Sequence, residues 1–197
     1  MVIRDWSSDV CSSDLHPPTM EGTLQIGSLL GKGGYGEVYK IWKVSNPNQC
    51  FALKIPGAPL SITKGYILNE IHKLKTLNKP GNYHIPKIKF GFLYLQGDKL
   101  PYYITHVFTP AEKEFPSFLE NEPQDPIITL ETFYLMAQGL KYIASNNIVH
   151  NDLKPENIMY YNKMPIITDY GTARSYSEIN EVEIERLQGR LHGTPAW

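Results

Sequence analysis

Between His150 and Asn157 the chain reads HNDLKPEN, with an acid, a lysine and an amide packed into one short stretch. A carboxylate at Asp152 can accept a proton from a hydroxyl, and the ammonium of Lys154 can neutralise charge on a phosphoryl group in transfer. Asn157 offers a neutral oxygen ligand to Mg²⁺. A polar loop joining a helix to a strand would instead satisfy Asp and Asn through local backbone hydrogen bonds, and this stretch alone leaves both readings open. A second acid, Asp169 in ITDYG, follows the strand-like KMPII. A carboxylate at a strand end can bind a cation that bridges phosphates, although a lone D-x-G is usually a turn.

Two further pieces lie upstream. GKGGYGEV, Gly31 to Val38, contains G-x-G-x-x-G, whose absent side chains let backbone N–H groups approach phosphate oxygens. A dinucleotide fold needs a helix to open directly after the glycines, with an acid roughly 20 residues on. Here strand-like EVYKIWKV follows, so the loop belongs to a hairpin. In CFALKI the period of two puts Phe51, Leu53 and Ile55 on one face and Ala52 with Lys54 on the other. A lone lysine there would snorkel from an edge strand. Glu70 changes that reading: at about 100° per residue it falls inside the apolar stripe of Ile67, Ile71, Leu74 and Leu77, where an acid needs a partner. Lys54 can supply one and still reach phosphate oxygens, while Ala52 leaves room for a flat base.

The elements that must position these groups are legible in outline. Leu24 to Ile55 alternates apolar and polar residues around glycines, as strands joined by tight turns do. YILNEIHKLKTLN switches to helical period, NKPGNYHIP is a loop, and KIKFGFLYL and PYYITHVF, separated by QGDK, form a hairpin. TPAEKEFPSFLENEPQDP is rich in Pro and Glu and marks a boundary. Beyond it, Leu130, Phe133, Ala137, Leu140 and Ala144 keep helical spacing.

Composition bounds the partners. The 197 residues are 42% hydrophobic with a net charge of -1 and a pI of about 6.6, so no electrostatic attraction to nucleic acid or an anionic membrane is expected. No run of about 18 apolar residues exists, and no signal peptide is recognisable at the start. The expectation is an intracellular, cytoplasmic protein without membrane insertion. Cys11 and Cys50 have no metal-ligand spacing and are expected to stay reduced. Residues 5 to 15, DWSSDVCSSDL, read as a translated adapter from DNA library preparation, so 1–15 is expected to be a non-native tail, with Met20 a candidate start. Setting aside Arg4, Asp5, Asp9 and Asp14 moves the net charge only to +1. At the other end, HGTPAW reads as an interruption.

Taken in order, these motifs resemble the eukaryotic-type protein kinase family. GKGGYGEV is similar to its glycine-rich loop, FALK to its third-strand lysine motif, HNDLKPEN to its catalytic loop and DYG to its metal-binding motif. GTPAW resembles the stretch before its Ala-Pro-Glu. The resemblance spans about Leu24 to Trp197, and KPEN with GTP is closer to the serine/threonine branch.

The fold it implies is α+β and two-lobed, a small β-rich N-lobe and hinge over 20–108 and a helical C-lobe over 109–197, incomplete at its carboxyl end. The activity it implies is transfer of the γ-phosphoryl group of Mg²⁺-bound ATP to protein Ser or Thr hydroxyls. Asp152 would be the base and Lys154 the phosphate-contacting lysine, with Asn157 and Asp169 the Mg²⁺ ligands. Lys54, paired with Glu70, would meet ATP together with Gly31, Lys32, Gly33, Gly34, Tyr35, Gly36, Val38, Ala52 and Met159. Thr105 would line the adenine pocket, with His106 to Phe108 as hinge. Leu74, His150 and Tyr170 would join a buried column, and Thr194 would contact the substrate.

The family often carries arginine where Asn151 stands, to pair with a phosphate on the activation segment. An amide lacks that charge, which implies little dependence on phosphorylation at Ser175, Tyr176 or Ser177 unless Arg174 replaces it. Two rivals are a nucleotide-binding pseudokinase scaffold and a small-molecule phosphotransferase. The complete set of Lys54, Asp152, Asn157 and Asp169 argues against the first, KPEN and GTP against the second.

Overall fold

The computed structural model describes residues 23–80, 82, 84–95, 97–110, 126–162 and 164–179. The expected 1–15 tail, most of the Pro- and Glu-rich connector, and Thr194 with GTPAW lie outside the described residues. The described chain forms two compact units. One runs to Lys75 and resumes over Lys87–Val107; the other takes Thr76–Pro86 and continues from Phe108.

The first unit is a five-stranded antiparallel sheet in the order β1-β2-β3-β5-β4 with one long helix. Its strands are β1 (Leu24–Lys32), β2 (Gly36–Lys43), β3 (Asn46–Pro56), β4 (Lys89–Leu95) and β5 (Asp98–His106). Alternation sends Leu24, Ile41, Phe51, Leu53, Leu93, Leu100, Tyr102 and Ile104 into one apolar core, against which Ile55 and Leu60 pack. Helix α1 (Leu60–Leu77) starts where the buried Thr63 hydroxyl donates to the carbonyls of Gly57 at 2.5 Å and Pro59 at 3.1 Å, fastening its first turn to the end of β3. The whole stripe Ile67, Glu70, Ile71, Leu74 and Leu77 is buried, as the helical period requires.

The second unit holds β6 (Thr109–Pro110), α2 (Pro126–Ser145), β7 (Ile148–Val149), β8 (Ile158–Tyr161), β9 (Met164–Ile167) and β10 (Arg174–Ser175). Strands β6, β8 and β9 form one antiparallel sheet, and β7 pairs with β10. Asn147, at φ 57°, closes α2 in the left-handed conformation, its N–H donating to the Ala144 carbonyl at 2.9 Å. Buried Gly139 lets α2 lie close to its neighbours: a Cβ there would come within 2.9 Å of the His84 Cβ and 3.0 Å of Ile167 Cδ1. Ile143 is buried on that same side.

The spaced residues of α2 lie on the other side. Leu130 is 68% and Phe133 64% exposed, Ala137 and Ala144 are exposed, and Leu140 is half-buried. Helical spacing reports an apolar stripe and not what covers it. No helix among the described residues is long and apolar enough to cross a membrane.

Candidate active site

In the first unit, Lys54 Nζ lies 2.7 Å from Glu70 Oε2, with the carboxylate side chain only 1% and the lysine 13% exposed. Strand β3 supplies the lysine and α1 the acid. The register of β3 against β5 pairs Ala52 with Thr105 and Lys54 with Tyr103, so these four side chains share one face of the sheet. Val38 is the partner of Lys54 on the other flank.

The glycine loop closes the β1–β2 hairpin, with Gly33 N–H donating to the Gly36 carbonyl at 2.9 Å. Lys32 and Glu37 are cross-strand partners joined by an ion pair of 2.8 Å. The pairing raises the lysine pKa and lowers that of the carboxylate. At Gly36 a Cβ would meet the Ile55 carbonyl oxygen at 2.6 Å, so packing alone demands glycine. At Gly31, Gly33 and Gly34 a Cβ would meet nothing within 4 Å, and none has positive φ. The fold itself makes no packing demand for glycine at these three positions.

In the second unit, Asp152 Oδ2 lies 2.8 Å from Lys154 Nζ and accepts from Asn157 Nδ2 at 3.2 Å. The same Asn157 nitrogen donates to the Asp152 carbonyl at 2.7 Å. That commits the amide nitrogen, so Oδ1 is the Asn157 atom that could meet a cation. Pro155 opens the 3₁₀ turn Pro155–Asn157 that sets this geometry, its missing N–H costing nothing at the first helical position. The hydrogen bond to Asp152 holds the Lys154 ammonium pKa above its ordinary value, against a smaller opposing effect of burial. Thr168 donates both its N–H and its hydroxyl to the Asn157 carbonyl, at 2.9 and 3.0 Å. Asp169 follows directly, at φ 65°, a left-handed conformation that Asp tolerates better than most residues.

The Protein kinase domain family profile matches residues 24–197. The chain belongs to the protein kinase domain family. It is 33% identical over 138 residues to a probable serine/threonine-protein kinase of Dictyostelium discoideum, covering 70% of this chain and 19% of that protein. Similarity to the serine/threonine-protein kinase stk11 homolog of the same organism is 28% over 184 residues (87% and 29%), and to serine/threonine-protein kinase chk-1 of Caenorhabditis elegans 26% over 196 residues (95% and 37%). The chain thus spans well under half the length of each of these relatives. The β-rich first unit and the second unit built on α2 fit the two-lobed α+β fold of that family.

His150 of the kinase domain is buried between backbone groups: Asp152 N–H donates to Nδ1 at 3.3 Å, so Nε2 carries the proton it gives to the Thr168 carbonyl at 2.9 Å. Its ring meets Tyr170 edge to face at 4.8 Å. Burial is the largest influence on this imidazole and lowers its pKa, while the Thr168 carbonyl, Asp169 and Asp152 pull the other way. Asn151, at φ 66°, donates from Nδ2 to the Thr172 carbonyl at 3.1 Å. Arg174 donates to the Glu178 carbonyl of its own segment.

Not every expected residue turns its side chain to the same place. His106 pairs with Phe51 across the sheet, its ring 6.2 Å from the phenylalanine, on the face opposite Thr105; only its backbone is left to a ligand on the Thr105 side. Phe108 belongs to the second unit, where its ring meets Tyr161 edge-on at 6.2 Å. Met159 is half-buried in β8. Leu74 is fully buried in the first unit. Tyr103, whose ring centroid lies 5.9 Å from Lys54 Nζ, was not expected; counting back by two from Thr105 finds it. Thr168 likewise emerges only from the structure, since nothing in ITDYG marks its double hydrogen bond.

Proposed function

We propose that the kinase domain transfers the γ-phosphoryl group of ATP to Ser and Thr hydroxyls of proteins, as part of a longer protein. The observation that carries this reading is the arrangement at Asp152, a carboxylate fixed by Lys154 and Asn157 and carried on a loop whose backbone is braced by His150. Asp152 accepts the proton as the hydroxyl oxygen bonds to the γ-phosphorus and the bond to the ADP oxygen breaks. Lys154, once drawn from Asp152 to the transferring group, offsets its charge.

On the first unit, Lys54 holds phosphate oxygens while Glu70 keeps its ammonium in place, and the backbone of Gly31 to Gly36 covers the phosphates, with Lys32, Tyr35 and Val38 beside it. Ala52 and Thr105 face the base, with the backbone of His106 at its edge. Thr105 Oγ1 is buried without a hydrogen-bond partner, an orphan that a ligand would repair. Asn157 Oδ1 and the Asp169 carboxylate are oxygen donors suited to Mg²⁺, a hard ion that binds few protein ligands and keeps waters and phosphates for the rest. When bound, Mg²⁺ neutralises phosphate charge.

The Ser/Thr preference rests on the names of the similar kinases. Labelled ATP with Mg²⁺, offered to mixed Ser, Thr and Tyr peptides and to a metabolite panel, tests the reading on the full-length protein. Label on Ser or Thr is expected. Nucleotide binding without transfer would favour a scaffold, and label on metabolites alone a small-molecule phosphotransferase.

A further inference from the structure

Gly33, Gly34 and Tyr35 lie between β1 and β2, flanked by Gly31 and Gly36 at the strand ends, so the tip of the hairpin has little backbone stiffness of its own. The strand ladder and the Gly33 N–H bond to the Gly36 carbonyl hold its base, and what holds the tip must come from side chains. At its base stands the Lys32–Glu37 ion pair, too exposed to contribute much. At its tip the ring of Tyr35 stacks on Tyr66 of α1, centroids 3.9 Å apart and planes 28° apart. Both tyrosines are half-buried. Gly36 sits where a Cβ would be 3.2 Å from Ile67 Cδ1 of α1 and 3.5 Å from Lys54 Cε, so the far end of the loop is pressed onto the same helix and the same lysine.

Tyr66 lies four residues before Glu70, one helical turn along the same face. Helix α1 therefore grips two things at once. Through Glu70 it fixes Lys54, and through Tyr66 it fixes the tip of the loop.

We propose that Tyr66 is a positioning residue that holds the phosphate loop, through Tyr35, in one frame with the Lys54–Glu70 pair. This rests on the nucleotide-binding reading above. Preordering a glycine-rich loop spares the ligand the entropy of ordering it, so loss of the stack appears as weaker nucleotide binding more than as slower chemistry.

The test uses the full-length protein, with the dissociation constant of a fluorescent ATP analogue and KM for ATP as readouts beside kcat and Tm. Tyr66→Ala is expected to weaken binding by about 2- to 12-fold, the range of an aromatic pair, and Tyr66→Phe, which keeps the ring, by less than about 2-fold. Tyr35→Ala with Tyr66→Ala together is expected to be no weaker than Tyr35→Ala alone. Should Tyr66→Ala fail to fold, Tyr66→Leu takes its place. Wild-type affinity in Tyr66→Ala or Tyr66→Leu, or additive effects in the double variant, would overturn the inference while leaving nucleotide binding intact. A wild-type protein that binds no nucleotide would overturn both.

Discussion

Glu70 is legible in the sequence because an acid inside a helical apolar stripe needs a partner, and Lys54 is the lysine on a strand face otherwise lined by a small residue. The 2.7 Å pair gives that reasoning a stability consequence. Lys54→Met removes the positive charge beside a carboxylate side chain that is 1% exposed and is expected to cost about 3 kcal/mol in chemical denaturation. Adding Glu70→Leu should recover most of that loss but no activity, separating the structural role of the pair from its proposed role on phosphate. His150 carries the pH dependence. Burial lowers its folded-state pKa, so as pH falls through about 6.5 the unfolded chain takes up the proton first and stability is lost; above that range both states are neutral and the effect vanishes. Thermal melts from pH 8 to pH 5 should show Tm falling at the acid end, with less of that fall in His150→Gln. Tyr103 and the inward turn of Thr168 were not read from sequence because the motifs name reacting groups and not the side chains that hem them in.

At the scale of elements, strand alternation and helix period mark β1 to β5 and α1, whereas in α2 the periodic stripe is not the face that packs. Its stripe of Leu130, Phe133 and Ala137 is real, but the side that packs is the one with Gly139 and Ile143, where a missing side chain matters more than an apolar one. The described part of the segment after Asp169, to Ile179, is held by hydrogen bonds to its own residues and to the stretch before it. Asn151 donates to the Thr172 carbonyl, β10 pairs with β7, Tyr176 N–H donates to the Asn147 carbonyl at 2.9 Å, and Ser175 and Glu178 form a reciprocal capping box. None of these needs a phosphate. Phosphatase treatment is accordingly expected to leave activity within about 2-fold, and Asn151→Asp, which points a carboxylate at the Thr172 carbonyl, to lower kcat by about 10-fold, equivalent to about 1.4 kcal/mol. A large loss on phosphatase treatment would show that a phosphorylated hydroxyl and a cation such as Arg174 do that work instead.

For the whole molecule, order of motifs carried the family and two-lobed fold, because glycine loop, strand lysine, catalytic loop and DYG each require a different element. The domain limits are less legible from a linear reading: Thr76–Pro86 groups with the second unit although it lies amid the sequence of the first. Ile167 N–H donates to the His84 carbonyl at 2.9 Å, and His84 Nδ1 is 3.1 Å from the Pro165 carbonyl, long-range pairings that no local pattern announces. Asp152 is the proposed base of the phosphoryl transfer. Its most direct test compares Mg²⁺-dependent transfer from ATP to Ser and Thr peptides by the full-length protein and by Asp152→Asn, with nucleotide affinity measured alongside. A fall in kcat of about 10²- to 10⁴-fold with nucleotide affinity held is the predicted result, and equal turnover by the two proteins would contradict it.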